Sequence, residues 1–232
     1  MEKEKHVVVV YPHPDDESFG AAGTITKFRS EGVPVTYLCG TLGEMGRNMG
    51  NPPFANRETM PLIREKELAE ACRLLDIEYK LLGYRDKTLE FEDIREVANH
   101  IKEIIEDINP SLVITHYPPY AVHPDHNALG AATIEAVQMM EPDKRPKLWA
   151  QAISKSFETF LGEPDITHDV TEQFDKKVEA IFAHKSQASG LIETFSGKTP
   201  EAIEQKTVFE KRMSLEQFYI WDFDNPSTVK NS

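Results

Sequence analysis

The 232 residues carry 26 basic and 39 acidic side chains, a formal net charge of −13, which disfavours nucleic acid or an anionic membrane as partner. A chain of this length can bury a core without cross-links and suits one domain, residues 1–232. Cys39 and Cys72, both in apolar surroundings, read as reduced core thiols, and no apolar run nears the length of a membrane span or forms a secretory leader, so a soluble cytoplasmic protein is expected.

Residues 6–12 contain four consecutive valines and read as a strand buried on both faces, as in a parallel sheet. After His13-Pro14-Asp15-Asp16, residues 17–29 place Phe19, Ala22, Ile25 and Phe28 at roughly helical spacing, with acids at the start and Gly32 just past the end. Gly20 and Gly23 are too few for a dinucleotide fingerprint, which needs more glycines directly after the strand. Residues 33–41 predict a second strand, and 48–61 a long aperiodic loop of the kind usually kept for function. An amphipathic helix follows over 62–75, with Leu68, Ala71, Cys72 and Leu75 inward, then a short strand over 79–83. Ile94, Val97, Ala98, Ile101, Ile104, Ile105 and Ile108 form a helical stripe stopped at Asn109-Pro110. Residues 111–115 are a buried strand, 116–122 a loop, 127–140 a helix, and 149–153 a further strand. The last third holds a strand-like run over 166–170, a helix over 172–185, a helix opening at Thr199-Pro200-Glu201, and a frayed tail at Lys230-Asn231-Ser232. This alternation predicts an α/β fold of three layers, a mostly parallel, doubly wound sheet between helices with right-handed crossovers.

Two polar motifs, His13-Pro14-Asp15-Asp16-Glu17 and His123-Pro124-Asp125-His126, follow strands on the rim where such sheets bind ligands. His13 and Asp16, three apart on a tight turn, can face one ion, and His126 supplies a third arm from another strand end. Hydrolytic metal sites present three such ligands and leave a position for water. With no thiolate nearby, the nitrogen and oxygen donors suit Zn²⁺, and also Fe²⁺, Co²⁺ or Mn²⁺. Singly, the acids could merely cap the next helix and His13 could be structural; two such motifs on one rim favour the metal.

The stretch Tyr11-Pro12-His13-Pro14-Asp15-Asp16-Glu17 with His123-Pro124-Asp125-His126 resembles the zinc-dependent N-deacetylases of the LmbE-like, PIG-L superfamily. Gly43-Glu44, Arg64 with Glu67, and His184-x-Ser186-Gln187 extend the resemblance from about residue 6 to 190. The chain as a whole is similar to the bacillithiol-pathway deacetylases of low-GC Gram-positive bacteria, which act on N-acetylglucosaminyl malate. The resemblance implies a Rossmann-like fold with the metal at the C-terminal ends of the strands, His13, Asp16 and His126 as ligands, and Asp15 as general base. It also implies that His123 stabilises the oxyanion or protonates the leaving amine, with Asp125 orienting that imidazole. Ala121 stands where relatives often carry a tyrosine, with Tyr120 one residue earlier.

The implied substrate is a small N-acetylglucosaminide whose malate carboxylates call for arginine, through charge-assisted hydrogen bonds. Arg64 ranks first, then Arg47 and Arg57, with Glu44 on the same rim. Arg64 could instead pair with Glu67 one helical turn on, and Arg47 and Arg57 could be solvated loop charges. His184-Lys185-Ser186-Gln187 either lines the pocket or finishes a helix, and His116 lies behind the ligands or is structural. A homo-oligomer is expected, as in many members of this family. The competing readings are a deacetylase of another N-acyl sugar or thiol-sugar conjugate, and a non-catalytic metal- or sugar-binding protein. Asp15 and His123, which binding alone does not need, favour the enzyme.

Overall fold

Consecutive valines are stable in water only where both faces of their strand are covered, and β1 (Val7–Tyr11) is fully buried between β2 (Val35–Thr41) and β4 (Leu112–His116), parallel to both. The computed structural model describes residues 3–155 and 157–224; the tail expected at Lys230-Asn231-Ser232 lies outside them. The sheet has seven strands. β3 (Glu78–Tyr84) lies outside β2; beyond β4 come β5 (Lys147–Gln151), β7 (Leu215–Ile220) and β6 (Ile166–Asp169). β1 to β5 are mutually parallel, and β7 runs antiparallel to both of its neighbours.

The two-residue period of β1 sends Val8 and Val10 to one face and Val7, Val9 and Tyr11 to the other. The first set packs with Val97, Ala98, Ile101 and Ile105 of α3 (Ile94–Ile108) and Leu129, Ala132 and Ala136 of α4 (Pro124–Gln138). The second meets Ile25 of α1 (Ala22–Ser30), Leu68, Cys72 and Leu75 of α2 (Met60–Leu75), and Ala180 of α6 (Phe174–Ala183). The three layers are those expected. Among the described residues no helix is long and apolar enough to cross a membrane.

Several boundaries depart from the periodicity. The first predicted helix opens as a wide π-turn over Glu17–Ala21 before α1 begins. α4 starts three residues earlier than expected because Pro124 suits a first helical position and Nδ1 of His123 caps the backbone N–H of Asp125 at 3.2 Å. His126 therefore sits in the first turn of a helix. Beyond α5 (Phe157–Leu161), the predicted 172–185 helix breaks at His184, and α7 (Lys185–Ser196) and α8 (Pro200–Met213) follow, the latter capped by Thr199. β7 was not expected: Glu216 interrupts its apolar alternation, yet lies buried against Lys177 Nζ at 2.6 Å and accepts the N–H groups of Gly23 and Thr24.

Gly130 lets α4 press onto the end of β4, since a Cβ there would lie 2.6 Å from the carbonyl oxygen of His116. Gly130→Ala is expected to lower unfolding free energy by about 1–3 kcal/mol, the usual cost of overpacking. Chemical denaturation of purified protein checks this.

Candidate metal centre and its pocket

The strand order reverses between β1 and β4, the position at which a doubly wound sheet leaves a crevice beyond its carboxyl ends. The loop after β1 brings His13, Asp15 and Asp16; the loop after β3 brings Asp86 and Lys87; α4 and its cap bring His126 and His123. With Met45, Gly46, Arg47, Arg64 and Gln187, these residues line a cavity of about 400 Å³.

Nδ1 of His13 lies 3.1 Å from Nε2 of His126, and the two carboxylate oxygens of Asp16 lie 3.3 Å from those nitrogens, one to each. Ligands at about 2.0–2.1 Å from a tetrahedral ion are separated by about 3.3 Å, so the His13 and His126 nitrogens are spaced for one ion, with a carboxylate oxygen of Asp16 beside each. Their outer contacts fix which nitrogen faces it. Nδ1 of His126 is 3.0 Å from the carbonyl of Ala121 and so carries the proton, leaving the Nε2 lone pair free. Nε2 of His13 faces Asp125 and Asp86, each at 3.3 Å, so Nδ1 is the nitrogen that would serve an ion once the ring gives up its second proton. Nε2 of His123 is left to the pocket, because its Nδ1 accepts from the N–H of Asp125. The expected contact between Asp125 and His123 is thus made by the backbone; the carboxylate serves His13 and the N–H of Lys87, at 2.6 Å.

Burial and the neighbouring charges set the ionisation of each group. Burial and the surrounding imidazoles keep His123 and His116 below the usual histidine range, hence neutral. Burial would lower His13 too, but hydrogen bonds to Asp125, Asp16 and Asp86 hold it well above that range. Asp16 is drawn well below the carboxylate range, His126 and His13 outweighing its burial, and Asp86 down to about 2, the bonds from His13 and the Met45 N–H outweighing the same effect. Asp15 moves the other way: burial lifts it to about 6, against the pull of Arg64. Its backbone has φ +120, a conformation L-residues rarely adopt, secured by its N–H on Glu17 Oε2 at 3.0 Å.

Arg64 proves to be a buried scaffold for Asp15. Its Nη2 lies 3.0 Å from Asp15 and also bonds the carbonyl of Pro14, while Nη1 donates to that of Gly43 at 2.9 Å. Gly43 is required here: its φ is +62, and a Cβ would lie 1.9 Å from the guanidinium. The alternative pairing with Glu67 does not form; Glu67 accepts the N–H and hydroxyl of Ser186 at 2.7 and 2.6 Å. Arg57 donates to the carbonyl of Gly46 at 2.8 Å and Glu44 accepts from the N–H of Asp86 at 3.1 Å, so both serve the loop, whereas Arg47 faces the cavity. His184 is wholly buried, with Nε2 2.7 Å from Glu17. His116 stacks on His126 at 4.2 Å, and Tyr120 packs beside Tyr117 and Phe160. Asp86 and Lys87 are site residues that the motifs did not reveal; their only signal is a charged pair just beyond a predicted strand end.

A Rossmann-like sheet with a histidine–carboxylate centre at its switch point defines the LmbE-like class. Within that class the chain belongs to the PIG-L family, described as GlcNAc-PI de-N-acetylase, whose model matches residues 8–137. It is 50% identical to the probable N-acetyl-alpha-D-glucosaminyl L-malate deacetylase 2 of Bacillus cereus, over 95% of this chain and all of that one. It is 31% identical to the diacetylchitobiose deacetylase of Thermococcus kodakarensis, over 79% of this chain and 70% of the relative. Among solved structures, the N,N'-diacetylchitobiose deacetylase of Pyrococcus horikoshii superposes with a TM-score of 0.72 at 25% identity, covering 96% of this chain and 85% of that one.

Proposed function

We propose that this chain is a zinc-dependent N-deacetylase that hydrolyses the acetamide of N-acetylglucosaminyl malate, releasing acetate and a free amine. The observation that carries this reading is the convergence of His13, Asp16 and His126 within 3.1–3.3 Å, flanked by Asp15 and His123. The substrate follows the name of the Bacillus cereus relative, matched over nearly the whole chain. Zn²⁺ is the proposed ion, and the same donors would take Fe²⁺, Co²⁺ or Mn²⁺. Bound there, it would polarise the acetamide carbonyl and bring the pKa of a bound water to about 7.

The chain's own groups do the rest. Asp15, ionised above about pH 6, accepts the proton of the attacking water, with Arg64 holding its carboxylate. His123, neutral and presenting Nε2–H, donates to the amide oxygen as negative charge gathers there. The proton taken by Asp15 is then available to the leaving nitrogen. Asp125 and Asp86 keep His13 in the tautomer that faces the ion. The proposal includes a cytoplasmic setting, which two buried free cysteines suit, and assembly of several copies.

Chelation tests the reading. Protein stripped of metal should release acetate from N-acetylglucosaminyl malate at least tenfold more slowly, within the usual loss for a missing catalytic group, and one equivalent of zinc should restore the rate. Acetate release that ignores the chelator would overturn the metal's role, and zinc-loaded protein inert on every N-acylated aminosugar would favour a binding protein.

A further inference from the structure

We propose that Lys87 and Arg47 are the arms that select a substrate with a negatively charged aglycone; this rests on the deacetylase reading above. Three cations line the cavity, Arg47, Arg64 and Lys87. Arg64 is committed to Asp15 and two carbonyls, with a side chain only 4% exposed. Lys87 and Arg47 are exposed, and among the described residues neither side chain makes a hydrogen bond or ion pair. Cations left free at the rim of a site whose floor holds Asp15, Asp16, Asp86 and Asp125 are available to an anion from outside.

Their backbones are less free. Lys87 has φ +65, left-handed for a residue with a Cβ, and holds it because its N–H donates to Asp125 Oδ2 at 2.6 Å. Arg47 leaves a loop anchored on both sides: the N–H of Met45 donates to Asp86 Oδ2 at 2.8 Å, and Arg57 holds the carbonyl of Gly46. Asp86 and Asp125 both face His13, so both cations spring from segments fixed to the metal ligand. A carboxylate held by them would sit at a set distance from the reacting amide. Two cations match the two carboxylates of a malate-like group and offer nothing to a neutral aglycone.

The test compares kcat/KM for N-acetylglucosaminyl malate and for neutral methyl N-acetylglucosaminide in zinc-loaded protein. Lys87→Met or Arg47→Met should lower the malate-to-methyl ratio about fivefold, through KM, as befits an exposed ion pair. The double variant should lose more than tenfold. Lys87→Arg should keep the ratio within about twofold, and Lys87→Glu should drive it below that of Lys87→Met. Added salt should depress the wild-type ratio and leave that of the double variant flat. A ratio unchanged in the double variant, or a wild-type ratio near one with acetate released from both glycosides, overturns the selection while leaving the deacetylase in place. No acetate from either glycoside overturns both.

Discussion

Asp15→Asn is expected to lower the rate of acetate release by at least about 10²-fold while the protein keeps its zinc, because an amide of the same shape cannot accept a proton. His123→Ala should lose a comparable factor through the missing donor to the amide oxygen. Rate and metal content must be measured on the same samples; near-normal turnover in a fully loaded variant would remove the residue from the mechanism. The acidic limb of the pH profile carries a second check. Burial raises Asp15 to about 6, so kcat/KM should fall as pH drops through that value rather than through the ordinary carboxylate range. The guanidinium of Arg64 opposes that rise, so Arg64→Met should move the limb to higher pH. An unmoved limb would separate it from Asp15.

Glu17→Gln and His184→Ala should each cost about 3–5 kcal/mol of stability in chemical denaturation, since removing one member of a buried ion pair strands the other. Both side chains are 0% exposed, 2.7 Å apart, and Glu17 also accepts the N–H of Asp15 and the hydroxyl of Ser18. The two changes together should cost less than their sum. The pH dependence has a definite sign. Although burial pushes Glu17 up, His184 brings it below its usual value, so its contribution is present above the unfolded pKa and lost as pH falls through the folded one. Burial pushes His184 down, but Glu17 brings it above its usual value, so its contribution is present below the unfolded pKa and lost as pH rises through the folded one. The gap between wild type and variant should be widest between those limits. A loss under about 1 kcal/mol for both variants would show that the pair contributes no more than an exposed one.

The parts of the molecule legible in sequence are those with a local period or a compact motif. Val7 to Val10 announce a doubly covered strand, Ile94 to Ile108 announce α3, and the histidine–carboxylate motifs announce a rim site. What escaped depends on partners remote in the chain. β7 hid because Glu216 looks solvent-exposed until Lys177 and two backbone amides neutralise it. Arg64 matches the superfamily pattern, yet only the fold shows that its fork is consumed by Asp15, Pro14 and Gly43. Glu17 and His184 stand 167 residues apart, and no local pattern links them. Asp86 belongs to no motif; its role comes from the neighbouring loops that bring it to His13.

His13 and His126 are 113 positions apart in the chain. An unfolded polypeptide therefore offers an ion little more than the neighbouring His13 and Asp16, and His126, the proposed third ligand, arrives only when β1 and β4 lie side by side. An ion that recognises the folded chain alone adds to its stability by mass action, about 2.7 kcal/mol at a free concentration one hundred times its dissociation constant. That is as much as burying a large apolar side chain. A metal held as proposed would thus also be a thermodynamic clasp across the centre of the sheet, and its supply would set how much of this chain is folded as well as how fast it works.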